Sequence, residues 1–410
     1  MATLCSASVT AARSPQHGRV NNAGPLTFCD LSTFYGGSGG GIRTYHDAKL
    51  AWFASQRLHR YVLIYPGRRT AIERVSPTIT IVTTRGVPVG AGYRLPIAFA
   101  AVRALLRELR ADVVETGDPW FSGPLALWSR EVGDFRGPVT SFFHGDPLAT
   151  YVEPWAARRG TLESVRRRLS DGAEYWFYRA QQLYDLTLVS SAHVERALRE
   201  RGIRRVCRMP FGADPRFLEV GRRRLGEEGA RDSPARLLYA GRLQDDKGFD
   251  VVLDTMEELL RRPGVSVTIA GGGRLAARVE RLRHPRLRYA GFVAGRGELA
   301  REYARHDVLL APGPYETFGL AALEGLAAGL SVVGPRCGGT ADLLAQLDEP
   351  CWFDAGDRHG FVCAVDDAID GRSAARVKNA VEVASRYGTW ADAIERQVET
   401  YCSFLSRSMT

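Results

Sequence analysis

From Pro25 onward the chain alternates short runs that are apolar on consecutive residues with longer stretches whose apolar positions recur every three or four residues. LTFCDL, RYVLIY, TITIV, ADVVET, PVTSFF and LTLVS are the short kind in the first half, and IAFAAVRALLREL is the long kind. A run apolar on both faces suits a parallel strand covered on both sides, and the amphipathic stretch after it is the crossover that parallel strands need. The alternation therefore predicts a doubly wound α/β domain over 25–218. Between 219 and 234 it lapses: EVGRRRLGEEGARDSP is polar, rich in Gly and Arg, and reads as a linker. It resumes in ARLLYAG, VSVTIAGGG, LRYAG, HDVLLAP, LSVVGP and CWF, so a second α/β domain is expected over 235–387. In YGTWADAIERQVETYCSFL the residues Trp390, Ile394, Val398, Tyr401 and Leu405 stand at helical spacing and predict a final helix, 388–410, packed on a domain. Residues 1–24 hold Arg13 and Arg19, no acid and no apolar core of a signal peptide, and read as a disordered tail. Two doubly wound domains facing each other leave a cleft at the carboxyl ends of their strands, where ligands of this architecture bind.

Composition adds four constraints. An apolar fraction of 45% with 25% charged residues over 410 residues is that of a soluble globular protein large enough for two domains. The net charge of +9 points to an anionic partner, a membrane surface or a polyanionic ligand such as a nucleotide. No nucleic-acid-binding module accompanies the charge, which argues against that class. Of 55 basic residues only Lys49, Lys247 and Lys378 are lysines, so a lysine at a loop position is a departure from the chain's habit. The seven cysteines are scattered without a metal-binding spacing, which favours a reducing, cytoplasmic setting and argues against structural zinc.

Candidate chemistry lies in two stretches of the second half. In AGRLQDDKGFDVVL a strand ends in Gly241, a short loop carries Arg242 and Lys247, and a helix starts near Gly248. Two cations beside a helix N-terminus suit phosphate, whereas a solvated loop charge is the ordinary alternative. The stretch GPYETFGLAALEGLAAG, 313–329, places Glu316 in a loop and Glu324 over one turn inside a helix of apolar neighbours. A carboxylate there is either an exposed rim residue or one whose burial requires hydrogen-bond donors, such as a pair of sugar hydroxyls. Asp245, Asp246, Asp366 and Asp367 read as solvated charge rather than metal ligands. The glycine-rich YGGSGGGIRTY follows a strand, but Ile42 and Thr44 stand where a dinucleotide fingerprint requires its third small residue.

Together with GGGIRTY (39–45), SFFHGD (141–146), LTLVSSAHV (186–194) and PFGADPRF (210–217), these motifs resemble the family 4 retaining glycosyltransferases over nearly the whole chain from about residue 30. The resemblance implies a GT-B fold of two Rossmann-like domains facing a cleft, and hexose transfer from a nucleotide-sugar, GDP- or UDP-linked, with retention of configuration. It implies that Arg242 and Lys247 hold the diphosphate in place of a metal, so that no cofactor is needed. Glu324 would accept the ribose hydroxyls, and Glu316 with Thr317, Phe318 and Gly319 would hold the donor sugar and phosphate. Gly40, Gly41, Gly241 and Gly271 would let backbone approach the donor, Phe292 and Val293 would flank the base, and His144 would lie beside the reacting sugar. SFFHGDPLATYVEPW is similar to lipid-directed α-mannosyltransferases and sulfoquinovosyltransferases, which assigns Asp146 and Tyr151 to the acceptor, although Phe143 replaces the tyrosine common before the histidine.

The stretch Trp155–Tyr184 interleaves Arg158, Arg159, Arg166, Arg167 and Arg168 with Trp155, Trp176, Phe177 and Tyr178. Such a segment either lies on anionic headgroups at the inner face of a membrane or turns its aromatics inward and its arginines to water. A phosphorolytic or phosphosugar enzyme of the same fold, and a non-catalytic nucleotide-sugar binding protein, are the alternative functions.

Overall fold

The first-half strands become a sheet because each apolar run finds a parallel neighbour. In the computed structural model, which describes residues 24–36, 40–90, 93–146, 148, 152, 163–226 and 234–408, the chain divides into two units. The first comprises the described residues of Met1–Ser190, Glu195–Met209 and Ala391–Thr410. Its strands are β1 (Thr27–Leu31), β2 (Arg60–Gly67), β3 (Ala71–Arg74), β4 (Ile79–Gly90), β5 (Tyr93–Pro96), β6 (Val113–Thr116), β7 (Val139–Phe143), β8 (Leu186–Val189) and β9 (Val206–Arg208). They run in the order β3-β4-β2-β1-β6-β7-β8-β9, with β5 paired to β4. All pairings are parallel except β3 with β4 and β4 with β5, an antiparallel margin that the sequence pattern did not predict. The four residues of β3 are all exposed, so no apolar alternation marks them. In β1 and β6, Asp30 and Glu115 are register partners and both are buried.

The second unit comprises Ser191–Val194 and the described residues of Pro210–Trp390. Its parallel sheet has the order β12-β11-β10-β13-β14-β15, where β10 is Ala235–Ala240, β11 Val265–Ala270, β12 Leu287–Gly291, β13 Val308–Leu310, β14 Ser331–Pro335 and β15 Cys351–Phe353. Leu237, Tyr239, Val267, Ile269, Val308 and Leu310 of these strands enter one core with Phe249, Val252, Met256 and Leu259 of the helix Phe249–Arg261.

The expected linker is corrected in its first part. The helix Pro215–Arg224 runs into it, with Asp214 accepting the Arg216 amide and Pro215 in the first turn, and it buries Phe217, Leu218 and Gly221. The run Arg222–Arg224 is the last turn of that helix, where cations complement the dipole. The chain passes between units at Met209 and Pro210 rather than at 218, and residues 227–233 lie outside the described ones, as does the tail 1–23. The final helix spans Trp390–Ser408, buries Ile394, Val398 and Tyr401, and from Ala391 belongs to the first unit.

Candidate active site

In the second sheet the chain moves from β10 one way to β11 and β12, and the other way to β13, β14 and β15. The carboxyl ends of β10 and β13 are therefore a switch point, where two successive loops diverge and leave room for a ligand. The loop after β10 carries Gly241, Arg242 and Lys247, and the loop after β13 carries Glu316, Thr317, Phe318 and Gly319. Lys247 ends a 3-10 turn, Asp245–Lys247, and the helix Phe249–Arg261 follows at once. Gly248 joins them at φ 62°, and a Cβ there would lie 2.3 Å from the Pro312 carbonyl oxygen. No other residue allows the two loops to close so far. Across that closure Lys247 Nζ donates to Glu316 Oε1 at 2.7 Å, both side chains about a quarter exposed (26% and 28%).

The glycine pair in CGGT fixes the other side of the Glu316 loop. Gly339 N donates to Glu316 O at 2.6 Å, and a Cβ on Gly339 would stand 2.4 Å from Phe318 Cα. The Phe318 ring is buried against Phe211 and Tyr387, so only its backbone is available to a ligand. Gly319 caps the helix Leu320–Ala327, whose first-turn N–H groups lack intrahelical acceptors and face the loop. Arg242 is exposed and reaches Gln244 Oε1 at 2.9 Å and Asp246 Oδ2 at 3.1 Å, while Tyr239 Oη donates to its carbonyl. Gly271 N donates to Gly291 O at 2.7 Å, which holds the ends of β11 and β12 together, and beyond them Phe292 is exposed and Val293 partly so.

The four aspartates expected to be solvated are partly engaged: Asp246 pairs with Arg242, Asp245 with Arg274, and Asp366 with Arg262. The abundance of arginine supplies these three with a guanidinium close by. Among the described residues no cluster of His, Cys, Asp and Glu is arranged to hold a metal ion.

Glu324 is buried at 3% exposure, so it is no rim residue. Its donor is a protein group: Arg296 Nη2 reaches Glu324 Oε1 at 2.6 Å, and Arg296 Nε reaches Asp214 Oδ2 at 3.2 Å. A guanidinium from another helix, Arg296–Ala304, thus supplies at Oε1 the kind of donor that the burial requires. Burial still raises the Glu324 carboxyl above its ordinary value, against the pull of Arg296. Replacing Arg296 by alanine strands this carboxylate and is expected to cost about 3 kcal/mol of unfolding free energy. Urea denaturation checks it, and the double variant Arg296→Met with Glu324→Leu should recover most of the loss.

The first unit holds the remaining predicted residues. Gly40 and Gly41 are exposed at the start of the helix Gly41–Ser55, and no atom stands within 4 Å of a Cβ built on either. His144 follows β7, its ring stacked on Phe142 at 4.5 Å and edge-on to Tyr45 at 4.7 Å. Burial, with His46 and Lys49 adding to it, pushes its pKa well below the ordinary value, so the ring is neutral at pH 7. Asp146 turns back to accept the Leu148 amide at 3.0 Å. Tyr151, Trp155, Arg158 and Arg159 lie outside the described residues. In the helix Glu163–Gln181, Phe177 and Tyr178 are buried, while Val165, Leu169, Tyr175 and Trp176 are exposed beside Arg167 and Arg168. Among the described residues no helix is long and apolar enough to cross a membrane.

Sequence reasoning missed a second ionic cluster. Lys49 Nζ lies 2.7 Å from Asp30 Oδ2 and 2.9 Å from Glu115 Oε2, all three groups buried. Two carboxylates inside the strand runs TFCDL and DVVET were the available signal, because a charge in a strand covered on both faces must have a partner.

Comparison with known proteins follows the same lines. The family described as "Glycosyltransferase Family 4" matches residues 39–217, and "Glycosyl transferases group 1" matches 234–370. A "GDP-mannose-dependent alpha-(1-6)-phosphatidylinositol dimannoside mannosyltransferase" of Mycobacterium tuberculosis is 30% identical over 328 residues, 78% of this chain and 82% of the relative. A "GDP-mannose-dependent alpha-mannosyltransferase" of Corynebacterium glutamicum is 25% identical over 70% of this chain and 67% of its own. Among solved structures, sucrose-phosphate synthase from Thermosynechococcus elongatus shares the fold with a TM-score of 0.71 at 17% identity, covering 93% of this chain and all of the other.

Proposed function

The chain belongs to glycosyltransferase family 4 and is a glycosyltransferase of GT-B type, and from that premise we propose that it transfers mannose from GDP-mannose to a lipid-linked acceptor with retention of configuration and without a metal. The observation that carries the reading is the Lys247 to Glu316 pair at the switch point of the second sheet, 2.7 Å apart and about a quarter exposed. A cation and a carboxylate at one ligand-facing position match the two halves of a sugar diphosphate: the ammonium takes the phosphate and the carboxylate takes sugar hydroxyls. The mycobacterial relative named for GDP-mannose and for a phosphatidylinositol mannoside supports the donor and the class of acceptor.

In the proposed step the bond between the anomeric carbon and the diphosphate oxygen breaks, its electron pair leaving with the nucleoside diphosphate. The acceptor hydroxyl oxygen bonds to the same face of that carbon, and its proton passes to the departing phosphate oxygen. Charge grows on the diphosphate as the bond lengthens, so Lys247 and Arg242 stabilise the transition state more than the bound donor. Neutral His144 is assigned to the transferred sugar, where it accepts or donates a hydrogen bond without adding charge. The exposed Val165, Leu169, Tyr175 and Trp176 with Arg167 and Arg168 fit an anionic lipid surface, which would bring the enzyme to an acceptor embedded there.

The test is transfer from GDP-mannose, UDP-glucose or mannose 1-phosphate to phosphatidylinositol dimannoside in phosphatidylcholine vesicles with and without anionic lipid, in the presence of a chelator. GDP-mannose is expected to give an α-linked product, faster on the anionic vesicles. Transfer from the phosphosugar alone would move the reading to a phosphorolytic enzyme, and a chelator-sensitive reaction would remove the metal-independent mechanism.

A further inference from the structure

We infer that Tyr45, pinned by the buried Glu115 and Lys49 pair, positions the His144 ring, an inference that rests on the sugar-facing role proposed for His144. The arrangement begins with strand register: Asp30 of β1 and Glu115 of β6 are neighbours, which places two carboxylates side by side inside the first unit. The helix Gly41–Ser55 lays Tyr45 and Lys49, four residues apart and so on one face, against them. Lys49 bridges both carboxylates, and its ammonium also stands 4.9 Å from the centre of the Tyr45 ring. Tyr45 Oη donates to Glu115 Oε1 at 2.7 Å and accepts from Gln397 Nε2 at 2.6 Å.

The Tyr45 ring also meets His144, with 4.7 Å between the ring centres. The imidazole lies nearly parallel to Phe142, with 12° between the planes, and a flat apolar face lets a ring slide and turn. Tyr45 stands across that motion at 65° to the imidazole. Its own freedom is removed at the hydroxyl, where two hydrogen bonds hold it in opposite senses, one given and one taken. A buried ion pair is a poor device for stability alone, because apolar residues of the same volume do as well at lower desolvation cost. A fixed direction for one ring is something apolar packing does not supply.

The closing experiment compares Tyr45→Phe, His144→Ala and the double variant. The phenylalanine keeps the ring and removes only the hydroxyl. Tyr45→Phe is expected to lower kcat about tenfold with the donor KM unchanged, and to add nothing in the His144→Ala background. Losses that multiply would mean that Tyr45 does not act through His144. Independently of any reaction, the His144 Cε1 proton, assigned by its disappearance in His144→Ala, is followed by NMR in the wild type and in Tyr45→Phe from pH 5 to 8. The charged and titratable groups facing it are His46 and Lys49 of the helix and Asp30 of β1. A moved and broadened resonance in Tyr45→Phe is expected, and an unmoved one overturns the inference whether or not the protein transfers sugar. Glu115→Gln, which keeps an acceptor for Tyr45 but withdraws the charge that anchors Lys49, is the second variant and should move the same resonance. Failure of wild-type transfer from every donor would count against the glycosyltransferase role of His144 and leave the NMR arm to decide the positioning.

Discussion

Lys247→Ala is expected to lower turnover by about 10²–10³-fold, the loss seen when one fixed donor to a developing oxyanion is removed. The fold should hardly notice. The pair with Glu316 is partly exposed, and such pairs contribute about 0–1 kcal/mol. Single-turnover rates and urea unfolding measured side by side separate the two effects. A fall in rate below tenfold with an intact fold would remove Lys247 from the leaving-group role. Lys247→Arg should restore only part of the rate, because the loop closes tightly at Gly248 against Pro312 and a planar guanidinium is wider than an ammonium.

The second large effect is one of stability. Lys49→Met removes the cation between Asp30 and Glu115 while keeping its volume, and about 3–5 kcal/mol of unfolding free energy should be lost at neutral pH. The pH dependence gives this a sign. In the wild type, burial alone would raise Asp30, and Lys49 with His46 outweighs it and holds the carboxyl at about 2. That contribution is present above the ordinary value of 3.8 and is lost as pH falls from 3.8 towards 2. Without Lys49 the two buried carboxyls are expected to hold protons in the folded state above their ordinary values. The variant should therefore lose more stability than the wild type as pH rises from about 4 towards neutrality, because in the wild type burial and Asp30 hold only Glu115 above its ordinary value. Denaturation midpoints at pH 5 and pH 8 decide the matter: a deficit that does not grow with pH would mean that the carboxylates find other donors.

The two lysines also show how far the residues alone could be read. Lys247 stood out because it broke an arginine habit at a loop beside a glycine, and the same rarity applied to Lys49. The difference was context: in DAKLAWF a lysine on a helix looks solvated, and only the register of β1 with β6 brings Asp30 and Glu115 to it. The parallel strands were legible since burial on both faces forces continuous apolar runs. The margin of β3 and β5 was not, because edge strands need no apolar face. Glu324 was recognised as an anomaly, but its partner Arg296 lies 28 residues upstream among many arginines, and nothing in the chain singles it out. The helix Pro215–Arg224 was hidden by its exposed arginine run, although Asp214 followed by Pro215 is a helix start that could have been read.

The place of the final helix bears on synthesis. Glu115 receives hydrogen bonds from Gln397, 282 residues later, and from Tyr401. At roughly 5–20 residues per second, that distance corresponds to about 15–60 s of translation. From the synthesis of Arg208 to the end of this interval a nascent chain holds every described strand of its first unit but lacks the two side chains that close over the carboxylate. The second unit is complete before the first can be, so a ribosome-bound chain arrested short of Gln397 should expose its amino-terminal half to proteolysis while its carboxyl-terminal sheet is already protected.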